Sequence, residues 1–317
     1  MNHTSNYTNH TYKHRLHYVH HFTCIIVMCC CAVLTMIYMV FADEPVSVNL
    51  ESAQEYETGC TLYLEGKYTQ ADIHFLKAIG FDSRNTAAHF TYGLSLNKQK
   101  KFHEAAEQFR TVLQKDSTHV KAMKALPDAL MDAGEYEEAL EAYDTGIAAN
   151  PGDYSFLFNK ARVFIKLEDY EKALPYLDKA ISLSPKRSDL HETRGYVFLQ
   201  LKQLNKALEN YQNALNLLPE NITIRYMVAQ VLAQMGQTRE AAQAAEKVIE
   251  LNKSHARAHI IIADHQRQSG TLEDALSHYR IAAQSLDTRA YAQYYIDVLT
   301  KQIEEEKSEL HYQENQK

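Results

Sequence analysis

The chain has 317 residues and a formal net charge of -7, with no Trp, ten Gly and six Pro. The negative charge and the lack of a basic stripe in helical register exclude nucleic acid as an expected partner. Apolar residues recur at helical spacing, and the long Val/Ile/Thr alternation typical of strands is missing. The composition therefore predicts an all-α protein.

The first 21 residues are polar and rich in Asn, Thr, Tyr and His, with Lys13 and Arg15 but no acidic residue. Such a segment cannot bury enough apolar surface to fold, so we predict a disordered flank over residues 1–21. Its histidines lack any fixed geometry, which favours a solvated, mildly basic flank over a metal site.

An uncharged apolar run follows at Phe22–Ala42, and its length reaches the roughly 20 residues that a helix needs to cross a bilayer. Positive charges precede it and acidic residues follow it, so the rest of the chain is expected on the extracytoplasmic side. The run is either an uncleaved membrane anchor or a signal peptide cleaved after Ala42, which would give a secreted or periplasmic protein. A third alternative is a start downstream of Met1.

After a predicted linker at residues 43–51, one pattern recurs every 34 residues over 52–289, seven times in all, with Ser52 as position 1 of the first unit. Position 20 is always alanine: Ala71, Ala105, Ala139, Ala173, Ala207, Ala241 and Ala275. Position 24 is bulky in all units but one: Phe75, Phe109, Tyr143, Leu177, Tyr211, Ala245 and Tyr279. Position 8 is small in all units but one: Gly59, Gly93, Pro127, Ala161, Gly195, Ala229 and Ala263. Small residues beside large ones at fixed offsets indicate two helices in close contact within each unit.

This spacing resembles that of the tetratricopeptide repeat family, whose unit is a helix–turn–helix of about 34 residues. The resemblance implies an all-α solenoid, a right-handed superhelix of about seven repeats, in which each unit buries its apolar face against the next. An N-terminal hydrophobic helix would precede the array and a C-terminal capping helix would close it. Within the repeats, four glycines are expected in the turns between the two helices, and two residues are candidate helix caps. These are Gly66, Gly134, Gly236 and Gly270 in the turns, and Asp153 and Ser188 as caps.

Two segments depart from the repeated pattern. Pro127 lies in the middle of a first helix, where proline costs about 3 kcal/mol, so we predict a kink within Met123–Met131. Beyond the seventh unit, Ala290–Lys307 is amphipathic and is predicted to be the capping helix. Residues 308–317 are predicted to form a polar tail.

The repeats contain no recognisable catalytic pattern: no nucleophile with a base, no paired acids in a pocket and no glycine-rich phosphate loop. His255 and His259 could share a helix face, but two ligands without a third do not make a metal site. We therefore expect no enzymatic activity and no cofactor.

In the resembling family, partners lie along a concave wall built from the first helix of each repeat, chiefly at positions 2, 5, 9 and 12. Mapped onto this chain, positions 5 and 9 place five aromatic residues in the groove: Tyr56, Phe90, Phe158, Tyr196 and Tyr226. Aromatic side chains supply large contact areas with little entropy to lose, so they favour binding of a polypeptide. The alternative is that these rings only pack against neighbouring helices.

Four further residues, Lys121, Lys124, Asn159 and Arg162, loosely resemble the family's carboxylate clamp. Asp189 and Glu192 in the next repeat place acids where the clamp requires bases, so no clamp is predicted. The four residues are still expected to form a polar, basic patch that could hold one carboxylate.

The sequence thus predicts a non-catalytic scaffold, exported or membrane-anchored, whose groove binds partner proteins or peptides. Residues 22–42 would attach it to the membrane if they are not cleaved. An alternative is an extracytoplasmic binding protein that passes a small apolar ligand to a transporter, which would require a closed, dry pocket. The third alternative is an enzyme with an unrecognised active site.

Overall fold

The computed structural model describes residues 49–314, and within that range the chain forms helices and short turns without any strand. The predicted flank at residues 1–21 and the apolar run Phe22–Ala42 lie outside the described residues, as does nearly all of the predicted linker. Among the residues that are described, none of the helices is both long and apolar enough to cross a membrane.

Fifteen helices follow one another through the described range. They are α1 (Leu50–Leu64), α2 (Tyr68–Phe81), α3 (Thr86–Lys98), α4 (Phe102–Lys115), α5 (Val120–Ala133), α6 (Tyr136–Ala149), α7 (Tyr154–Lys166), α8 (Tyr170–Leu183), α9 (Ser188–Gln200), α10 (Leu204–Leu217), α11 (Ile222–Gln234), α12 (Thr238–Leu251), α13 (Ala256–Ser269), α14 (Leu272–Ala282) and α15 (Arg289–Glu314). The first fourteen form seven pairs, in which the odd-numbered helix is helix A and the even-numbered one is helix B. Each helix packs on the next in the chain, and α15 packs on α14. The predicted all-α solenoid of seven repeats is confirmed.

The recurring small and large positions explain how helices A and B fit together. All seven alanines at position 20 are completely buried, and so are the residues at position 24 apart from the 1% exposed Tyr211. A Cβ on Gly59 would lie 2.7 Å from the Phe75 ring, and one on Gly93 would lie 2.6 Å from the Phe109 ring. In these two repeats helix A therefore has only a hydrogen where the aromatic ring of helix B packs against it.

The turn between helices A and B always passes through a left-handed residue at position 15. The four predicted turn glycines, Gly66, Gly134, Gly236 and Gly270, have φ between 76° and 85°, which confirms the prediction. In the other three repeats the same place is taken by Lys100, Glu168 and Lys202, with φ of 62°, 59° and 58°. A residue with a Cβ pays roughly 1–2 kcal/mol for this conformation, so these three turns are held by the packing of the helices around them.

Of the two predicted helix caps, the structure confirms one and contradicts the other. Asp153 precedes α7 and its carboxylate accepts the Ser155 backbone N–H at 3.0 Å, so this prediction is confirmed. The prediction for Ser188 is wrong, because Ser188 is the first residue inside α9. Its buried hydroxyl instead donates to the Ala214 carbonyl at 3.0 Å and ties helix A to helix B.

The proline and the C-terminal helix complete the architecture. Helix α5 runs unbroken from Val120 to Ala133 through the buried Pro127, so the proline does not end the helix. The last helix, α15, extends beyond the predicted Lys307 to Glu314. It buries Ala292 and Leu299 against the seventh repeat, as an end cap requires.

Candidate functional site

A cleft of about 370 Å³ opens where the A helices of the fourth, fifth and sixth repeats lie side by side. We call it the central cleft. Its lining comes from α7 (Phe158, Arg162, Ile165, Lys166), α9 (Glu192, Thr193, Tyr196), α11 (Thr223, Met227) and Tyr211 of α10. Three predicted site residues, Phe158, Arg162 and Tyr196, are thus brought together in one concavity on the helix-A face, meaning the side of the array that helices A form.

The five predicted groove aromatics pack on their neighbours and yet keep part of their surface accessible. Tyr196 is 37% exposed, and the other four, Tyr56, Phe90, Phe158 and Tyr226, are half-buried. Ring-centroid distances of 6.1 Å to Phe75 for Tyr56 and 5.6 Å to Phe109 for Phe90 show that each touches helix B of its own repeat. Packing and contact with a partner are therefore compatible roles for these rings.

The predicted basic patch is divided between two internal carboxylates. Lys124 Nζ lies 2.6 Å from a carboxylate oxygen of Asp153, while Lys121 is exposed. Asn159 Nδ2 donates to Asp128 Oδ1 at 2.9 Å, and an Arg162 N–H donates to Asn159 Oδ1 at 3.3 Å. A ligand carboxylate at this patch would compete with partners already in place.

Asp128 is the centre of a closed network in the third repeat. The Tyr143 hydroxyl, at position 24, donates to the Asp128 carboxylate, at position 9. Burial raises the pKa of the Asp128 carboxyl, although the hydrogen bond from Tyr143 and the charge of Arg162 oppose the rise. Burial likewise raises the pKa of Tyr143, so this hydroxyl remains a hydrogen-bond donor.

The seventh repeat contains the same pair. Tyr279, at position 24, donates to Oδ1 of Asp264, at position 9, over 2.5 Å. Tyr291 of α15 also donates to this carboxylate, at 2.9 Å and 3.0 Å from its two oxygens. The buried tyrosine hydroxyl again has an acidic partner on helix A.

The fifth repeat has the tyrosine without the acid. Tyr211 is at position 24, but position 9 is Tyr196. The Tyr211 side chain is 1% exposed, and its hydroxyl oxygen is buried without a hydrogen-bond partner among the described residues. It lines the central cleft. The sequence predicts Tyr211 as a packing residue at position 24 and not as a site residue; the sequence signal for the second role is Tyr in place of Asp at position 9.

Glu192 lies on the same helix as Tyr196 and also lines the central cleft. It is half-buried and forms neither a hydrogen bond nor an ion pair with any residue that the structure describes. Burial raises the pKa of its carboxyl, and the nearby negative charge of Asp189 adds to the effect. Glu192 in turn helps to raise the pKa of Tyr211, after burial, which places the two groups within electrostatic reach of each other.

Tyr226, the last predicted site residue, lines a separate cleft of about 310 Å³ with His255, Arg257 and Asp287. Burial lowers the pKa of His255, whose Nδ1 accepts the Ala258 backbone N–H at 3.2 Å. Across residues 49–314, no group of three or more His, Cys, Asp or Glu side chains is arranged to hold a metal ion. We take the central cleft as the candidate site, because three of the predicted site residues, Phe158, Arg162 and Tyr196, line it together.

Comparison with protein families finds two matching descriptions. The family described as Tetratricopeptide repeat matches residues 125–188 and 226–294, and the one described as TPR repeat matches residues 195–236. A search of curated proteins found no match.

Solved structures with the same fold include three that the chain covers almost completely. The C-terminal part of a TPR repeat-containing protein from Cytophaga hutchinsonii has a TM-score of 0.66 at 16% identity, covering 76% of this chain and 99% of that one. A tetratricopeptide repeat protein from Parabacteroides merdae has a TM-score of 0.57 at 16% identity, with 79% and 99% covered. PilF from Pseudomonas aeruginosa has a TM-score of 0.54 at 22% identity, with 67% and 100% covered. At such identities the likeness concerns the fold alone.

Proposed function

The chain is a tetratricopeptide-repeat protein, and from that premise we propose that it is a non-catalytic scaffold that binds partner polypeptides along its helix-A face. The observation that carries this proposal is the central cleft, because side chains from three consecutive repeats converge there on one concave surface. A ligand that continues from α7 past α9 to α11 runs along the array in an extended form. A segment of polypeptide meets that requirement.

The lining of the central cleft also suits a polypeptide better than a small apolar molecule. The lining combines aromatic rings with side chains that form hydrogen bonds to a peptide, among them Thr193, Thr223 and Glu192. Tyr196 and Arg162 are exposed, so the cleft is open to solvent, whereas an apolar metabolite favours a closed and dry pocket. Native mass spectrometry of the purified protein discriminates between the two functions, since a carrier would retain its ligand.

Site-specific photo-crosslinking tests the proposed binding face. The photoreactive residue p-benzoylphenylalanine is placed at Tyr196, which is 37% exposed on helix A, or at Leu217, which is 36% exposed on helix B. Because the two positions are equally accessible, we expect a crosslinked polypeptide from Tyr196 and none from Leu217. Equal crosslinking from both positions, or crosslinking from Leu217 alone, would contradict binding on the helix-A face.

We further propose that the repeats are exported, either anchored by Phe22–Ala42 or released by cleavage after Ala42. The uncharged run between a basic and an acidic flank supports this proposal. N-terminal sequencing combined with cell fractionation tests it. An N-terminus at Asp43 in an extracytoplasmic soluble fraction identifies the cleaved form, and an intact N-terminus in membranes identifies the anchored form. Recovery of the intact chain in the cytoplasm would overturn the proposal.

A further inference from the structure

Two polar groups that face the central cleft have no partner in the part of the chain that the structure describes. The Tyr211 hydroxyl is buried and forms no hydrogen bond with any described residue, although a buried hydroxyl left unpaired is costly and therefore rare in folded proteins. Glu192 is a half-buried carboxylate without a cation or a donor among the described residues. Elsewhere on the same helix, Asp189 has its cation, since its carboxylate lies 2.7 Å from an Arg187 nitrogen. Among the described residues, Glu192 and Tyr211 thus differ from Asp189 in that they line the cleft and have no partner.

Glu192 and Tyr211 would both be satisfied by a ligand that donates a hydrogen bond. A carboxylate accepts hydrogen bonds only, so Glu192 needs a donor, and a positively charged donor gives the stronger bond. The Tyr211 oxygen can accept from the same donor, and its proton stays available for a carbonyl group. The rings of Tyr196 and Phe158 also line the cleft, and aromatic faces attract cations within about 6 Å.

From this arrangement we propose that the central cleft takes up one basic side chain, of lysine or arginine, from a bound polypeptide, with Glu192 and Tyr211 as its hydrogen-bond acceptors. The inference rests on the proposed function, since it specifies one residue of the polypeptide that the helix-A face binds. It gives the cleft a preference for a charged residue at one place in the partner.

The two basic residues that line the cleft, Arg162 and Lys166, lie on α7, whereas Glu192 lies on α9. Arg162 and Lys166 are exposed on α7, and Arg162 already donates to Asn159, which in turn donates to Asp128. The α9 wall carries the unpaired Glu192. The charges of the cleft therefore select a segment with a single basic residue, because a run of basic residues would meet Arg162 and Lys166.

Peptide titration of the full chain, labelled with ¹³C in the methionine methyl groups, tests the proposal. Met227 lines the cleft and reports binding there. The probes are three acetylated and amidated heptapeptides, Ala-Phe-Ala-X-Ala-Phe-Ala, in which X is lysine, norleucine or glutamate. We expect the lysine peptide to shift the Met227 signal and to bind about tenfold more tightly than the norleucine peptide, as a charged hydrogen bond allows. The glutamate peptide should bind least.

Variants of the two acceptors assign the preference to the cleft. Glu192→Gln should remove most of the preference for the lysine peptide over the norleucine peptide, and Tyr211→Phe should reduce that preference by a smaller factor. Asp189→Asn is the matched control, because it removes a carboxylate from the same helix that already has its own cation. That variant should keep most of the preference. Melting curves of all three variants verify that they fold.

The outcomes separate this inference from the proposed function. Equal affinities for the lysine and norleucine peptides in the unmodified protein, or tightest binding of the glutamate peptide, would overturn the inference and leave polypeptide binding intact. An undiminished preference in Glu192→Gln would overturn it as well. If no peptide shifts Met227 while crosslinking through Tyr196 still captures a polypeptide, the inference fails and the scaffold function stands. If crosslinking through Tyr196 also fails, the proposed function fails with it.

Discussion

The third and fifth repeats carry the same buried tyrosine in two different settings. In the third, Tyr143 donates to Asp128, which also accepts from Asn159 of the next repeat, so the polar groups satisfy one another. In the fifth, neither Tyr211 nor the nearby Glu192 has a hydrogen-bond partner within residues 49–314. The comparison teaches that the repeat can satisfy its polar groups internally, as the third repeat does, and that the fifth repeat leaves two such groups unpaired, among the described residues, at the central cleft.

We expect the largest change in the free energy of unfolding when the closed network around Asp128 in the third repeat is broken. Asp128→Ala would leave the buried Tyr143 hydroxyl and the Asn159 amide unpaired and should lower the free energy of unfolding by about 2–3 kcal/mol. Glu192→Ala in the fifth repeat breaks no hydrogen bond within the described residues and should change it by less than about 1 kcal/mol. Urea unfolding followed by circular dichroism measures both. Similar losses for the two variants would show that the repeats do not differ in this way.

A smaller effect is expected from the tyrosines themselves. Tyr143→Phe removes a donor to a desolvated carboxylate and should cost about 1–2 kcal/mol. Tyr211→Phe removes a hydroxyl that has no partner among residues 49–314, so the free energy of unfolding should be unchanged or slightly higher. Thermal unfolding of the two variants beside the unmodified protein gives the difference. A loss for Tyr211→Phe equal to that for Tyr143→Phe would mean that Tyr211 has a partner in solution.

The smallest effect is a pH dependence that arises from Glu192. Burial raises the pKa of this carboxyl in the folded state, so folding favours its protonated form. The resulting stability is present below the pKa of the unfolded chain, about 4.3, and is lost as the pH rises through the higher pKa of the folded state. The unmodified protein should therefore lose stability relative to Glu192→Gln between about pH 4 and neutrality.

Because Glu192 is only half-buried, solvent screening keeps this difference below about 1 kcal/mol. Parallel urea titrations of the two proteins at several pH values measure the difference directly, since the other titrating groups are common to both. A difference that stays constant with pH, or one that grows toward low pH, would contradict the assigned cause.

The repeat architecture could be predicted because its packing contacts recur. The alanine at position 20 recurs in all seven units and a bulky residue at position 24 in all but the sixth, so the same contact is repeated along the sequence. The left-handed turns show the limit of such reasoning. Gly134 indicates its turn in the sequence. Lys100 and Glu168 adopt the same left-handed conformation without a glycine, because the helices on either side impose it.

The candidate site was predictable only in part, for a related reason. Positions 5 and 9 identified Phe158, Arg162 and Tyr196, all of which line the central cleft. The importance of Tyr211 depends on which side chain faces it from helix A, and that contact lies between positions fifteen residues apart on different helices. Once the pairs Tyr143–Asp128 and Tyr279–Asp264 are known, the missing acid in the fifth repeat becomes visible in the sequence.

The contact between Tyr291 and Asp264 has a consequence for the length of the array. Asp264, the acid at position 9 of the last repeat, accepts a hydrogen bond from α15, which lies outside the 34-residue pattern. The array of repeats therefore ends on a capping helix that contacts this acid. Splicing another unit in front of α15 would strip Asp264 of this donor unless the new helix A brought its own. Tyr291 therefore matches α15 to the end of the seventh repeat, where Asp264 is available as its acceptor.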